Sequence, residues 1–295
     1  MDDFKIKNQV REFYDQVGWQ LVGDGNYQNA RYEDLRPVSK EYIQRCHMRV
    51  KRYLPPSGNY LLDAGSGPIQ YAEYLTYSQD YLFRVCADIS ITALKEARRR
   101  LEKRGLYVVC DIAHLPFRSE IFDGIVSLHA IHHVPYESQP DAYLNLYRVL
   151  KPGGKAAIVN AWNFSSLMSN LKWLVIFMER LSGFVKQLFH LKSSETTGQT
   201  PGSLRSLKNR PTGTYTQHYD AETLLAEFAR FRIPAEIYVW RSMSVRFLRA
   251  VIQSGLGGRF LLRFIFNLEE KYPHFFGKNG QYPLIIFYKP EQEPS

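Results

Sequence analysis

Only three cysteines, Cys46, Cys86 and Cys110, occur in 295 residues. They are odd in number, show no CxxC spacing, and Cys86 and Cys110 sit in apolar strand-like runs. That pattern excludes a disulfide framework and a cysteine-based zinc site, so all three are expected as free thiols. Long apolar runs are missing too: no stretch approaches the roughly eighteen uninterrupted apolar residues of a membrane helix. The opening MDDFKIKNQV is acidic, then basic, and lacks the apolar core of a secretory signal, which leads to the expectation of a cytoplasmic protein.

What is present suffices for a large core: 45% of the residues are hydrophobic, enough for one elaborated domain or a domain with a cap. The net charge of +9 is unevenly spread. Residues 1–161 carry 21 basic and 19 acidic side chains, whereas residues 162–295 carry 17 and 10. A basic second half suits an anionic substrate, a phospholipid surface or nucleic acid, and on its own selects none of them.

From Leu61 to Val159 short apolar runs alternate with helix-like segments, the order of a doubly wound parallel sheet. NYLLDAG, FRVCADIS, LYVVCDI, GIVSLHA and KAAIVNA read as strands, followed later by AEIYVW and YPLIIFYK. Their near-continuous Val, Ile and Leu fits a sheet covered on both faces. ITALKEARRRLEKRG is expected as a helix capped by Ser90 and ending at Gly105; DAYLNLYRVLKPGG as one stopped by Pro152 and the Gly-Gly turn; DAETLLAEFARF as one capped by Asp220. The N-terminal segment, from REFYDQVGW to HMRVKRYL, should form helices packed before the first strand. Over residues 165–192, Leu167, Leu171, Leu174, Met178, Leu181, Val185 and Leu188 recur at alternating four- and three-residue steps. They make one apolar helical stripe, widened by Phe177 and Phe184. It leads into a Ser-, Thr- and Gly-rich stretch over 193–217 expected as a mobile loop, and a second helical insertion separates the last two strands.

LLDAGSGPIQY delivers an acid and two glycines, Asp63, Gly65 and Gly67, at the end of the first strand. Such a turn lets the backbone approach a nucleotide-like ligand because no Cβ intervenes. A dinucleotide fingerprint would need a third glycine or an alanine where Gln70 stands, and a P-loop would need GK[ST], which is absent. LLDAGSGP, the acid closing VCADIS, then CDIAHLPF, SLHAIHHV and RVLKPGG together resemble class I methyltransferases that use S-adenosylmethionine, closest to small-molecule enzymes of the ubiquinone-biosynthesis type. The resemblance covers residues 55–160 in order and 215–290 more loosely. It implies an α/β fold with a Rossmann-like, doubly wound seven-stranded sheet, mostly parallel with an antiparallel last strand, plus helical cap insertions.

The resemblance implies that Asp63, Ala64, Gly65, Ser66 and Gly67 surround the methionine part of S-adenosylmethionine. Asp88, with Ile89 beside it, is placed at a strand end to accept hydrogen bonds from both ribose hydroxyls. Asp111 and Ile112 match residues that contact adenine, and Leu128 and His129 complete the cofactor set. Asp63 and Asp111 read equally well as turn caps. An oxygen or nitrogen acceptor usually has to lose a proton, which suits histidine near neutral pH. His132 and His133 in SLHAIHHVP and His218 in QHYD are the candidate catalytic residues; His129 and Tyr14 are further candidates, and each also reads as structural. No metal site is expected, because the imidazoles lack a nearby carboxylate pattern.

The expected layout is an N-terminal helical cap (1–54), a cofactor-binding core (55–160), an amphipathic insertion and loop (161–217), a core continuation (218–241), a helical insertion (242–280) and a last strand with tail (281–295). The apolar insertions and the basic second half point to a small-molecule or lipid-linked acceptor, most simply methylated on oxygen. The stripe would then be a lid, a homodimer surface or a peripheral membrane contact. Arg241, Arg246, Arg249, Arg259 and Arg263 are candidates for an anionic group on the acceptor. A nucleic-acid substrate is not expected, since no Asn/Asp-Pro-Pro-Tyr/Phe motif follows the fourth strand; an RNA methyltransferase and an inactive scaffold are the alternatives.

Overall fold

The computed structural model describes residues 2–20, 27–190 and 213–291. In chain order the elements are α1 (Asp3–Phe13), α2 (Lys40–Arg49), β1 (Gly58–Ala64), α3 (Ala72–Leu75), β2 (Tyr81–Asp88), α4 (Ile91–Leu101), β3 (Gly105–Val109), β4 (Phe122–Leu128), α5 (Gln139–Val149) and β5 (Leu150–Val159). They continue with α6 (Ser166–Asn170), α7 (Lys172–His190), α8 (Ala221–Arg230), β6 (Ala235–Arg241), α9 (Val245–Val251), α10 (Gly258–Lys271), α11 (Pro273–Asn279) and β7 (Tyr282–Tyr288).

The strands form one seven-stranded sheet in the order β3-β2-β1-β4-β5-β7-β6. The β1, β2, β3, β4 and β5 pairings are parallel, and β7 runs antiparallel to both β5 and β6. Period-two alternation divides the core cleanly. Leu61, Cys86, Val126, Ala157 and Leu284 face a cluster built with α2, α4, α9 and α10, while Leu62, Val85, Ile125, Ala156 and Ile285 face one built with α5 and α8. Both faces are therefore covered, which is why the strands read as unbroken apolar runs. Between β1 and β4 the winding reverses, and the crevice at the carboxyl ends of these strands is where such sheets take a ligand.

Local signals mostly act as expected at helix starts. The Ser90 hydroxyl accepts from the Ala93 N–H at the head of α4, and Asp220 accepts from Thr223 at the head of α8. Helix ends differ. α4 stops at Leu101 and reverses at Glu102, whose φ is +49°, so Gly105 opens β3 rather than closing the helix. α5 stops at Val149, and Pro152-Gly153-Gly154 lies inside β5, where the register against β4 slips between the Phe122 and Gly124 pairs. The Gly-x-Gly turn is followed only by α3, a single helical turn.

The expected stripe over 165–192 is broken at Leu171 into α6 and α7. Leu167, Leu171, Leu174 and Val175 pack on the core, whereas Leu181 is exposed. The side chains of Val185 and Leu188 and the whole of residues 191–212 lie outside the described residues, so the loop expected over 193–217 is described only from Gly213. The five arginines do not form one cluster. Arg246 pairs with Glu179, Arg263 with Glu41, and Arg241 with Glu33; Arg249 donates to the Glu33 carbonyl, and Arg259 is exposed.

Candidate active site

A cavity of about 580 Å³ opens at the carboxyl edge of the sheet. Gly65 and Gly67 adopt φ of +71° and +54°, which an L side chain rarely takes. Each is also short of space: a Cβ on Gly65 would lie 2.2 Å from that of Ala130, and one on Gly67 would lie 3.1 Å from the Trp19 ring. The Gly65 N–H donates to the Ala87 carbonyl (2.7 Å), so the turn is hooked onto β2. Asp88, the last residue of β2, accepts from Gly67 N on one oxygen and Ser90 N on the other, both at 2.8 Å. Burial pushes its carboxyl up to about 6 even though these two N–H groups favour the anion.

Of the residues assigned to the cofactor from sequence, all line this cavity except Ala64. Ala64 is fully buried in the sheet, and its carbonyl accepts from Ser127 Oγ at 2.7 Å. Asp63 reaches the wall, but its Oδ2 accepts from Arg84 Nε (3.0 Å) and Nη2 (2.5 Å), which makes it half of a buried ion pair. Asp111 caps the following turn through Ala113 N (2.9 Å) and pairs with Lys7 (2.7 Å). Burial would raise the Asp111 carboxyl, yet Lys7 and the cap hold it below its usual value.

The N-terminal segment closes over the glycine turn. Trp19 stands against Gly67 and stacks on Tyr14 with ring centroids 5.1 Å apart. Asp15 accepts from Ser90 Oγ (2.5 Å), and Asp3 from Ser138 Oγ (2.6 Å). Buried Trp19 Nε1 has no hydrogen-bond partner, so an orphaned donor borders the cradle. The fit to S-adenosylmethionine is good: two glycines give close backbone approach, and Asp88 supplies a carboxylate at a strand end.

The histidines gather beyond this cradle. His129 takes φ of +54° at the end of β4 and packs edge-on against Trp240 and Tyr282. The His132 ring centroid lies 4.1 Å from that of His133 and 4.7 Å from that of His218. His133 Nδ1 is 2.8 Å from the Tyr215 carbonyl, so that nitrogen carries the hydrogen and Nε2 holds the lone pair, which accepts from Tyr14 Oη at 2.6 Å. His132 Nδ1 likewise faces Asn160 Oδ1 at 2.6 Å, which leaves Nε2 basic. Buried His218 Nδ1 has no partner. Burial lowers all four imidazoles, His129 to about 3 and His133 to about 4. They are uncharged at neutral pH, so a sulfonium cation would meet no like charge from them. Tyr14 is raised, by burial first and then by Asp88, and keeps its proton. Among the described residues no group of three or more His, Cys, Asp or Glu is arranged to hold a metal ion.

Sequence reasoning missed much of the far wall. Tyr32, Glu33, Tyr71, Tyr74 and Tyr282 join Arg241 there. Glu33 and Arg241 form a buried ion pair, and Arg241 Nε is buried without a partner. Arg241 and Tyr282 were visible only as residues at the ends of expected strands, and Tyr32, Glu33, Tyr71 and Tyr74 come from segments with no periodic signal.

This geometry defines a doubly wound α/β domain with a nucleoside-type cofactor cradle joined to a histidine-lined acceptor space. Residues 62–158 match a family model described as "Methyltransferase domain". A tRNA (carboxymethyluridine(34)-5-O)-methyltransferase of Arabidopsis thaliana is 28% identical over 187 residues, covering 55% of this chain and 44% of that protein. A sterol 24-C-methyltransferase of Schizosaccharomyces pombe is 25% identical over 164 residues, covering 50% and 40%. This chain thus matches less than half the length of either relative. In fold, the chain is similar over 100% of its length to 51% of Haemonchus contortus phosphoethanolamine N-methyltransferase 1, with a TM-score of 0.55 and 12% identity. Residues 62–158 thus match a methyltransferase domain in sequence, and the chain around them has the fold of methyltransferases that use S-adenosylmethionine.

Proposed function

We propose that the protein transfers the methyl group of S-adenosylmethionine to a hydroxyl of a small-molecule or lipid-linked acceptor. The observation that carries this reading is a single cavity in which the Gly65–Gly67 turn and Asp88 adjoin His132, His133 and His218. S-adenosylmethionine supplies an electrophilic methyl on a sulfonium, so the chain must align the nucleophile, exclude water and take a proton. His132 Nε2 is the base best prepared for that proton, since Asn160 fixes its tautomer and burial keeps it neutral. The Tyr14–His133 pair holds the N-terminal segment closed over the same space. Acceptor selection falls to the wall of Glu33, Tyr71, Arg241 and Tyr282.

Calorimetric titration with S-adenosylmethionine, S-adenosylhomocysteine and NADH tests the cofactor. Micromolar binding of the first two and none of the third is expected. No binding to folded, ligand-free protein would overturn the enzyme reading in favour of a scaffold. The similarity to a tRNA methyltransferase, together with the basic second half, favours RNA as the second reading of the acceptor. A steep fall of tRNA affinity with salt, coupled to methyl incorporation into tRNA, would establish it instead.

A further inference from the structure

Helix α7 presents a face that no described part of the fold covers. Leu174 and Val175 turn toward the core, whereas Trp173, Phe177 and Phe184 are 68%, 58% and 61% exposed and Leu181 is 43% exposed. At 3.6 residues per turn these four exposed positions fall within an arc of about 80°. From Arg180 to Phe184 every residue is exposed, so this stretch of the helix stands clear of the described body.

The charge around that arc has one sign. Glu179 is neutralised by Arg246 on α9 through contacts of 2.8 and 2.9 Å. Lys172 and Arg180 are exposed and form no ion pair among the described residues. Two copies of such a face would bring like charges together, and an anionic partner would not. Aromatic rings beside Lys and Arg on an exposed helix are the composition that settles at a lipid–water boundary. No described helix is long and apolar enough to cross a membrane, so the chemistry is that of lying on a bilayer.

We propose that α7 docks this protein on an anionic phospholipid surface, with Trp173, Phe177, Leu181 and Phe184 entering the acyl boundary and Lys172 and Arg180 meeting the headgroups. The inference stands whichever acceptor is methylated. It is tested by sedimenting the full chain with vesicles of phosphatidylcholine alone and of phosphatidylcholine with phosphatidylserine. Binding to the anionic vesicles, weakened by salt, with little binding to the neutral ones is expected. The triple variant Trp173→Ser, Phe177→Ser, Phe184→Ser should lose at least about tenfold in partitioning, and so should Lys172→Glu with Arg180→Glu. S-adenosylhomocysteine affinity and the melting temperature serve as folding controls and should not move. Trp173→Phe should remove a blue shift in emission that the anionic vesicles induce. Equal binding to both vesicle types, binding unchanged by the triple variant, or no binding at low salt would each overturn the proposal. So would light scattering that shows a dimer dissociated by the triple variant, or tRNA retained where vesicles are not.

Discussion

Asp88 holds the glycine turn and the start of α4 through one carboxylate, and burial has already pushed that carboxylate up to about 6. If its anion accepts the ribose hydroxyls, Asp88→Ala should weaken S-adenosylhomocysteine binding by at least ~1.4 kcal/mol, a factor of ten, in calorimetry. Because the acid form loses acceptor capacity, wild-type affinity should also fall as pH drops below about 6. Unchanged affinity in either experiment would remove Asp88 from the ribose. The histidines make a second residue-level claim that needs no acceptor. Nitrogen-detected NMR should find His133 as the neutral Nδ1–H tautomer at pH 7, with protonation only near about 4, since burial disfavours the cation. A midpoint near the ordinary 6.5 would refute this environment. At this scale the sequence was readable where a motif occupies one strand end, as with Gly65, Gly67 and Asp88. It was silent on Glu33, Asn160 and Tyr215, whose partners lie 208, 28 and 82 residues away in the chain.

The caps separate stability from binding at the scale of elements. Ser90 and Asp220 each cap a helix, α4 and α8, through a side-chain oxygen. Replacing either by Ala should cost about 1 kcal/mol in urea unfolding, with the midpoint lowered and the slope kept. Only Ser90 also donates to Asp15 of the N-terminal segment that closes the cofactor cradle. Ser90→Ala should therefore weaken S-adenosylhomocysteine binding as well, and Asp220→Ala should leave it unchanged; equal effects on affinity would break the link between that segment and the cofactor. The strands were legible because they are apolar runs of Val, Ile and Leu, which in the central strands serve a sheet buried on both faces. The ends of α4 and α5 were not, because Pro152 and its glycines serve a slipped strand register rather than a helix stop. The break at Leu171 was equally hidden, since the four- and three-residue steps continue straight through it.

Glu33 joins parts of the molecule that are far apart in sequence. Its carboxylate pairs with Arg241 at the end of β6 and faces His47 of α2, while its carbonyl accepts from Arg249 of α9. Burial alone would raise its carboxyl, but Arg241 and His47 overcome this and hold it at about 2. Arg241 is shifted upward, so both partners favour the charged pair. A depressed carboxyl contributes stability that is present above the ordinary value near 4.5 and lost as pH falls toward 2. The shift corresponds to about 3 kcal/mol, of which wild type should lose most across that window. Asp88 acts in the opposite sense, since its raised carboxyl gains stability as pH falls from about 6 toward 3.8. Glu33 is therefore best isolated as the difference between wild type and Glu33→Gln. At pH 7 that variant leaves Arg241 charged, buried and unpaired, and should cost 3–5 kcal/mol, roughly the cost of breaking a buried pair. The difference should shrink below pH 4.5, where Glu33 of the unfolded chain begins to take up its proton while the folded carboxylate stays ionised until about 2. The double variant Glu33→Leu, Arg241→Met should recover most of the lost stability, because no uncompensated charge remains inside. It should not recover acceptor turnover if Arg241 Nε, buried and without a protein partner, is what meets the acceptor. Stability and turnover restored together would make the pair a purely structural strut.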